Sequence, residues 1–294
     1  MHAFILTLFL VIQSLQIGGA YDALRGDVVT SVPIAKAQEF HFRKIPKLIA
    51  PVIESTSALA MDRTSGKILY GKDIDKKLSI ASITKLMTAL VVIEKVNLSD
   101  VVVISSDAEG VDGARAGLVQ GEEIKVSELL KAMLIPSGND AAYALAEFVG
   151  GGSVGTFVGY MNERAVREGL LNTHFQNPMG FDNEDNYSTA FDLGLLASKI
   201  LEDQLLKNIV DMSSAEVEAV SGQNHVVNST NKILGGFLEI KGIKTGTTDQ
   251  AGTSLVSYAT KDGREIIGVL LQSPDRFREM KVMIDWCYRA WEAF

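Results

Sequence analysis

The sequence predicts an α/β chain of the α+β type: one five-stranded antiparallel sheet built from both chain ends, with a largely helical subdomain inserted between them. Three observations carry this. Short strand-like apolar runs begin at Ser57 and return after Phe237, the stretch between them has helical periodicity, and Asp262-Gly263 is a strong hairpin signal.

The elements follow in chain order. Residues 57–61 read as a strand, 62–66 as a turn and 67–70 as its hairpin partner. Residues 83–94 are apolar almost all round, the pattern of a buried central helix. Ser127 can cap a helix that runs until Pro136 ends it. Residues 140–149 form the next, closed by Gly150-Gly151-Gly152, and 157–168 another, stopped at Gly169. Thr189 and Asp192 make a capping box for a helix from Ala190 to about Glu202. Residues 237–244, 253–260 and 265–272 read as strands, and residues 276–293 as a terminal helix with Phe277, Met280, Met283, Ile284 and Cys287 on its apolar side. An active site is expected in the crevice between sheet and helices.

Before residue 57 the pattern is different. Phe4 to Ile12 is strongly apolar, Leu15 and Ile17 extend it, and Gly18-Gly19-Ala20 supplies small residues. Residues 1–20 therefore read as a signal peptide, which places the chain outside the cytoplasm, periplasmic or cell-surface; no Lys or Arg precedes the run. Retention as an N-terminal membrane anchor and a buried helix are the alternatives. Residues 21–55, interrupted by Pro33, Pro46 and Pro51, read as a linker made locally basic by His41, Arg43, Lys44 and Lys47. The catalytic body is expected over residues 56–294.

Composition removes several function classes. Of 294 residues, 47% are hydrophobic, enough for a sizeable core. A net charge of −8 without a basic cluster argues against nucleic acid. Cys287 is the only cysteine, so no internal disulfide forms. His2, His41, His174 and His225 are scattered without metal-site spacing, so no metal and no cofactor is assigned.

Three polar motifs carry the chemistry. Ser82 and Lys85 stand one helical turn apart on one face, where the helix N-terminus favours negative charge on the serine oxygen. A lysine drawn into an apolar crevice near Lys244 loses preference for its proton, so a neutral Lys85 could deprotonate Ser82. Ser137-Gly138-Asn139 follows Pro136; Ser137 could relay a proton to a leaving amine, and Asn139 could hold Lys85 and a substrate amide. Lys244-Thr245-Gly246 ends a strand; Lys244 and Thr245 can bind a carboxylate, and Gly246 leaves room for substrate along the strand edge. The backbone N–H groups of Thr247 and Ser82 could form an oxyanion hole. Taken singly, each motif is matched by a plainer account: a capping serine with a solvated lysine, a helix cap, a strand-end turn. Ser229 to Lys232 also spells Ser-x-x-Lys, but in a polar stretch with no buried helix behind it.

Taken together and in this order, Ser82-Ile83-Thr84-Lys85, Ser137-Gly138-Asn139 and Lys244-Thr245-Gly246, with Asn177-Pro178-Met179-Gly180 between the last two, make the chain resemble the serine D-alanyl-D-alanine carboxypeptidases, the low-molecular-weight penicillin-binding proteins. The resemblance runs from about Ser57 to the C-terminus. It implies a β-lactamase/DD-peptidase-like fold, removal of the terminal D-Ala from the peptidoglycan stem peptide through an acyl-enzyme on Ser82, and inhibition by β-lactams. It also implies an arginine near the substrate carboxylate, for which Arg278 is the expectation. Many such relatives add a small β-domain and a C-terminal anchor; this sequence stops at Trp291-Glu292-Ala293-Phe294. The reading therefore expects neither, and keeps transpeptidase and endopeptidase as alternatives. A class A β-lactamase is the nearest other enzyme, because Glu168 to Asn172 spells its Glu-x-x-Leu-Asn pattern. A wall-binding protein without activity is the non-enzymatic alternative.

Overall fold

The computed structural model describes residues 42–293, so the leader and most of the linker expected before residue 42 lie outside the described residues. In chain order the strands and helices are β1 (Phe42–Lys44), β2 (Ser57–Asp62), β3 (Ile68–Lys72), β4 (Leu78–Ser79), α1 (Lys85–Lys95), β5 (Val101–Val103), α2 (Ser106–Gly110), β6 (Glu123–Lys125), α3 (Val126–Leu134), α4 (Asn139–Val149), α5 (Val154–Arg167), β7 (Tyr187–Ser188), α6 (Ala190–Glu202), α7 (Gln204–Val210), β8 (Ser214–Glu218), β9 (Asn224–Asn228), β10 (Ile240–Thr248), β11 (Gly252–Lys261), β12 (Arg264–Leu271), α8 (Arg276–Ala290) and β13 (Trp291–Ala293).

The main sheet is antiparallel with order β10-β11-β12-β2-β3, so strands from the two ends of the sequence meet at the β12–β2 junction. Its side chains alternate between two cores, as a pleated strand requires. Leu59 and Met61 of β2, Val256 and Tyr258 of β11, and Ile267 and Val269 of β12 face the helical layer. Ala58, Ala60, Leu255, Ala259, Ile266 and Leu270 face α8 with Met280, Met283 and Ile284. Every residue of β2 is buried, which is why its middle, residues 58–61, reads as a continuous apolar run. Gly194 of α6 touches the sheet directly: a Cβ there would lie 2.7 Å from Leu59 and 2.8 Å from Met61. At the β11–β12 turn Asp262 and Gly263 both have positive φ, 51° and 76°, the hairpin geometry expected of an Asp-Gly pair.

Several expectations are corrected. Residues 42–55 are not a linker. β1 pairs with β13, the Ile45 amide donates to the Ala290 carbonyl at 2.8 Å, and Ile53 is buried. The carboxylate of Glu279 on α8 accepts from the amides of Glu54 and Ser55 and from the hydroxyls of Ser55 and Ser273. A strap bonded along α8 has no helical or strand period, so its sequence looks unstructured. Ser127 does not cap α3. The helix starts at Val126, and the first amides are satisfied by the Asp100 and Leu98 carbonyls instead of a hydroxyl. The terminal helix stops at Ala290, and β10 begins at Ile240 after a 3₁₀ turn. Thr189 caps α6, accepting from the Asp192 amide at 3.1 Å, but the Asp192 carboxylate reaches Asn172 and Thr173 rather than back to Thr189.

Candidate active site

Ser82 lies on a 3₁₀ turn, Ala81–Thr84, that runs into α1. Ala81 has φ 48°, an uncommon conformation for a residue with a side chain. Two glycines let backbone press on this turn. A Cβ on Gly180, whose φ is 92°, would collide with the Ala81 carbonyl, and one on Gly246 would sit 2.8 Å from the Ile80 carbonyl oxygen. The loop bearing Gly180 is folded by Asn177, whose side-chain oxygen accepts from the amides of Met179, Gly180 and Phe181 at 3.2, 2.6 and 3.0 Å.

Lys85 is fully buried at the first position of α1. Its Nζ lies 2.9 Å from Ser82 Oγ, 2.7 Å from Asn139 Oδ1 and 2.7 Å from the Met179 carbonyl oxygen. Burial holds its pKa well below the ordinary lysine value; the Lys244 cation pushes the same way, and the Asp140 carboxylate opposes. A neutral amine has two N–H donors and one lone pair. The two donors match Asn139 and Met179, which leaves the lone pair for the hydroxyl proton of Ser82. That is the arrangement of a nucleophile beside its base.

The second motif occupies the α3–α4 junction. Ser137 is buried with φ 71°, and Asn139 begins α4. Asn139 Nδ2 donates to the Asp112 carbonyl at 2.6 Å, which turns its oxygen toward Lys85. The junction is tight: a Cβ on Gly138 would stand 2.5 Å from the Ala132 carbonyl oxygen.

The third motif lies on the edge strand β10, beside the 3₁₀ turn. Lys244 is buried, its Nζ touching the Thr245 carbonyl at 3.2 Å. Burial, with the Arg276 cation adding, lowers its pKa to about 7. Thr247 is exposed, its hydroxyl donating to the Gly246 carbonyl at 2.8 Å.

Arg278 is the expectation the structure overturns. Its side chain is 65% exposed and faces Glu54 and Asp275 at 3.8 and 3.7 Å. The arginine at the site is Arg276, whose Nη1 donates to the Gly246 carbonyl at 2.7 Å, to Thr247 Oγ1 at 2.9 Å and to the Ser254 carbonyl at 3.2 Å. Two residues along a helix turn a side chain by about 200°, so only one of the pair can face the sheet. Thr230 was also missed: its hydroxyl lies 2.5 Å from that of Thr245, so the segment carrying the unused Ser229-to-Lys232 pattern still borders the third motif. Glu168, the alternative general base, is tied up by Arg164 at 2.7 Å and Lys199 at 3.7 Å. Among the described residues no cluster of three metal-ligating side chains occurs.

Known proteins resemble this chain over most of its length. The family model for D-alanyl-D-alanine carboxypeptidase (peptidase S11) matches residues 46–275. The chain is 33% identical to D-alanyl-D-alanine carboxypeptidase DacF of Bacillus subtilis over 81% of its own length and 63% of that protein's. It is 34% identical to the D-alanyl-D-alanine carboxypeptidase of Streptomyces sp. K15, over 76% of this chain and 82% of that one. It thus spans under two thirds of the Bacillus relative and most of the Streptomyces one. The crystal structure of the Streptomyces K15 DD-transpeptidase superimposes with a TM-score of 0.78 at 32% identity, covering 82% of this chain and 99% of that one. With the Ser82–Lys85–Asn139 geometry, the family match and these relatives in agreement, the chain belongs to the D-alanyl-D-alanine carboxypeptidase family.

Proposed function

We propose that this protein is a serine peptidase that removes the terminal D-Ala from peptidoglycan stem peptides and is acylated by penicillins. The observation that carries the reading is the fully buried, weakly basic Lys85 at 2.9 Å from Ser82 Oγ. Ser82 Oγ attacks the carbonyl carbon of the penultimate D-Ala while its proton passes to Lys85 Nζ. The Ser82 and Thr247 amides bind the developing oxyanion. The C–N bond then breaks, D-Ala leaves carrying a proton relayed through Ser137, and water hydrolyses the Ser82 ester. Lys244 and Thr245 hold the terminal carboxylate, and Gly246 leaves the strand edge open to substrate. Arg276 keeps the Gly246–Thr247 backbone in place beneath it. The same reading takes residues 1–20 as an export segment that leaves the protein periplasmic or at the cell surface, with membrane association through the N-terminus if the segment is retained.

Products from a pentapeptide stem and from a cross-linked dimer test the reading. Release of D-Ala from the pentapeptide, lost in Ser82→Ala, supports carboxypeptidation. Transfer of the acyl group to an added amine would make the protein a transpeptidase, the second reading. That reading is favoured by the likeness to a solved DD-transpeptidase. Cleavage of the dimer alone would make it an endopeptidase. A wild type that fails to form a Ser82 adduct with labelled penicillin overturns the proposal.

A further inference from the structure

Asp140, which follows Asn139 on the first turn of α4, is fully buried and forms no ion pair among the described residues. Its carboxylate is satisfied by four backbone amides. Oδ1 accepts from Ala116 and Ala141 at 2.9 Å each, and Oδ2 accepts from Gly117 at 2.9 Å and Leu118 at 3.2 Å. Only the Ala141 bond is local, to the next amide of the helix's first turn. The other three come from a loop 22 to 24 residues upstream. The same loop grips Asn139: the Asp112 carbonyl accepts from Asn139 Nδ2 at 2.6 Å, and the Ala114 carbonyl accepts from the Asn139 amide at 2.7 Å. Residues 112–118 therefore present carbonyls to Asn139 and amides to Asp140. Positive φ at Gly113 (84°), between the two carbonyls, and at Gly117 (88°), among the three amides, lets each set turn toward the start of α4. A Cβ on Gly113 would stand 2.7 Å from Asn139 Nδ2, so loop and amide are in close contact.

We propose that Asp140 is a positioning residue: by binding the amides of residues 116–118 it fixes the loop whose carbonyl orients Asn139, and through Asn139 it places Lys85 Nζ against Ser82 Oγ. This rests on the serine-peptidase reading above. Charge gives Asp140 a second effect. Its carboxylate favours the protonated form of Lys85, opposing the Lys244 cation, whose own charge Arg276 disfavours.

Asp140→Asn keeps the shape but puts an NH₂ group against one pair of donor amides. The expected result is a fall of about 100-fold in the acylation rate constant with fluorescent penicillin, the size of effect that an ångström-scale misplacement produces. The acid limb of its pH profile should move to lower pH, because the carboxylate that favours protonated Lys85 is gone. Hydrogen exchange at the amides of residues 116–118 should accelerate, a readout independent of activity. Gly117→Ala strains the loop and leaves the carboxylate in place, with open space at the new Cβ. It should slow acylation without moving the acid limb. A folded Asp140→Asn protein that labels within threefold of wild type overturns the inference alone. So does rate loss with those amides still protected. If Asp140→Asn does not fold, Gly117→Ala decides, and labelling at the wild-type rate with the loop amides released overturns the inference. A wild type that never labels overturns the peptidase reading as well, and is recognised because wild-type labelling is measured first.

Discussion

Lys244 should weaken the fold it belongs to. Its pKa falls from 10.5 to about 7, because burial and Arg276 both penalise its charge. At about 1.4 kcal/mol for each pH unit, burying the protonated form costs about 5 kcal/mol at most. The group's folded pKa lies below its unfolded one, so between pH 7 and 10.5 the unfolded chain binds more protons and stability rises with pH. Below pH 7 both states are protonated and the full penalty applies. Lys244→Met keeps a long flexible side chain and removes the charge; replacing buried ion pairs by apolar side chains is neutral or stabilises by about 1–4 kcal/mol, and a gain in that range is expected here. For a chain of this size that is roughly 2–8 °C in melting temperature. Calorimetry at pH 6 should show the variant melting above wild type, and the gap should close by pH 10 as wild-type Lys244 releases its proton. A variant melting below wild type at pH 6, or a gap that does not change with pH, refutes the reasoning. Catalysis with carboxylate-bearing substrates should be lost in the same variant, which would make the site's stability penalty and its function one property.

Three further outcomes are expected. The kcat/KM for a peptide with a free terminal carboxylate should decline as pH rises past about 7, where Lys244 loses its proton, whereas a C-terminally amidated analogue should show no such limb. Gly246→Ala would place a Cβ 2.8 Å from the Ile80 carbonyl and 3.1 Å from the Ala81 Cβ, so penicillin labelling should drop about 100-fold by displacement of the nucleophile turn. Glu279→Gln should lower stability in urea by about 1–3 kcal/mol. Burial pushes the Glu279 carboxyl up, but its hydrogen bonds together outweigh this and hold it below the ordinary carboxylate range; that part of stability is present at neutral pH in wild type and is lost as pH falls through the folded pKa, so the variant should show a shallower acid decline.

Legibility in the sequence followed the range of the interactions. Asp262-Gly263 dictates its turn from its own two residues, and α6 begins and ends where its cap and apolar stripe say. Ser82 and Lys85 share a face because three residues make nearly one turn. The failures involve distant partners. Nothing near residues 45–55 announces Glu279, whose carboxylate holds the Glu54 and Ser55 amides from 225 and 224 positions away. Arg276 and Arg278 are chemically identical, and only the angle at which α8 meets the sheet separates them. Thr230 is separated by 15 positions from the hydroxyl it meets, and the loop amides that bind Asp140 lie 22 to 24 positions upstream. The motifs marked the reacting groups, while the residues that hold them in place were visible only in three dimensions.

The junction of β2 with β12 sets a timetable for making this protein. Met61 pairs with Ile267, so the first hairpin has no sheet neighbour until about two hundred further residues have emerged. At 5–20 residues per second that wait is roughly ten to forty seconds, during which the wholly apolar middle of β2 lacks its cover. Closing so long a loop makes sheet formation a late event. The nascent chain thus lacks its completed sheet for most of its synthesis. A ribosome that stalls before β12 would release a chain with Ser82, Lys85 and Asn139 all present and no sheet against which to assemble them.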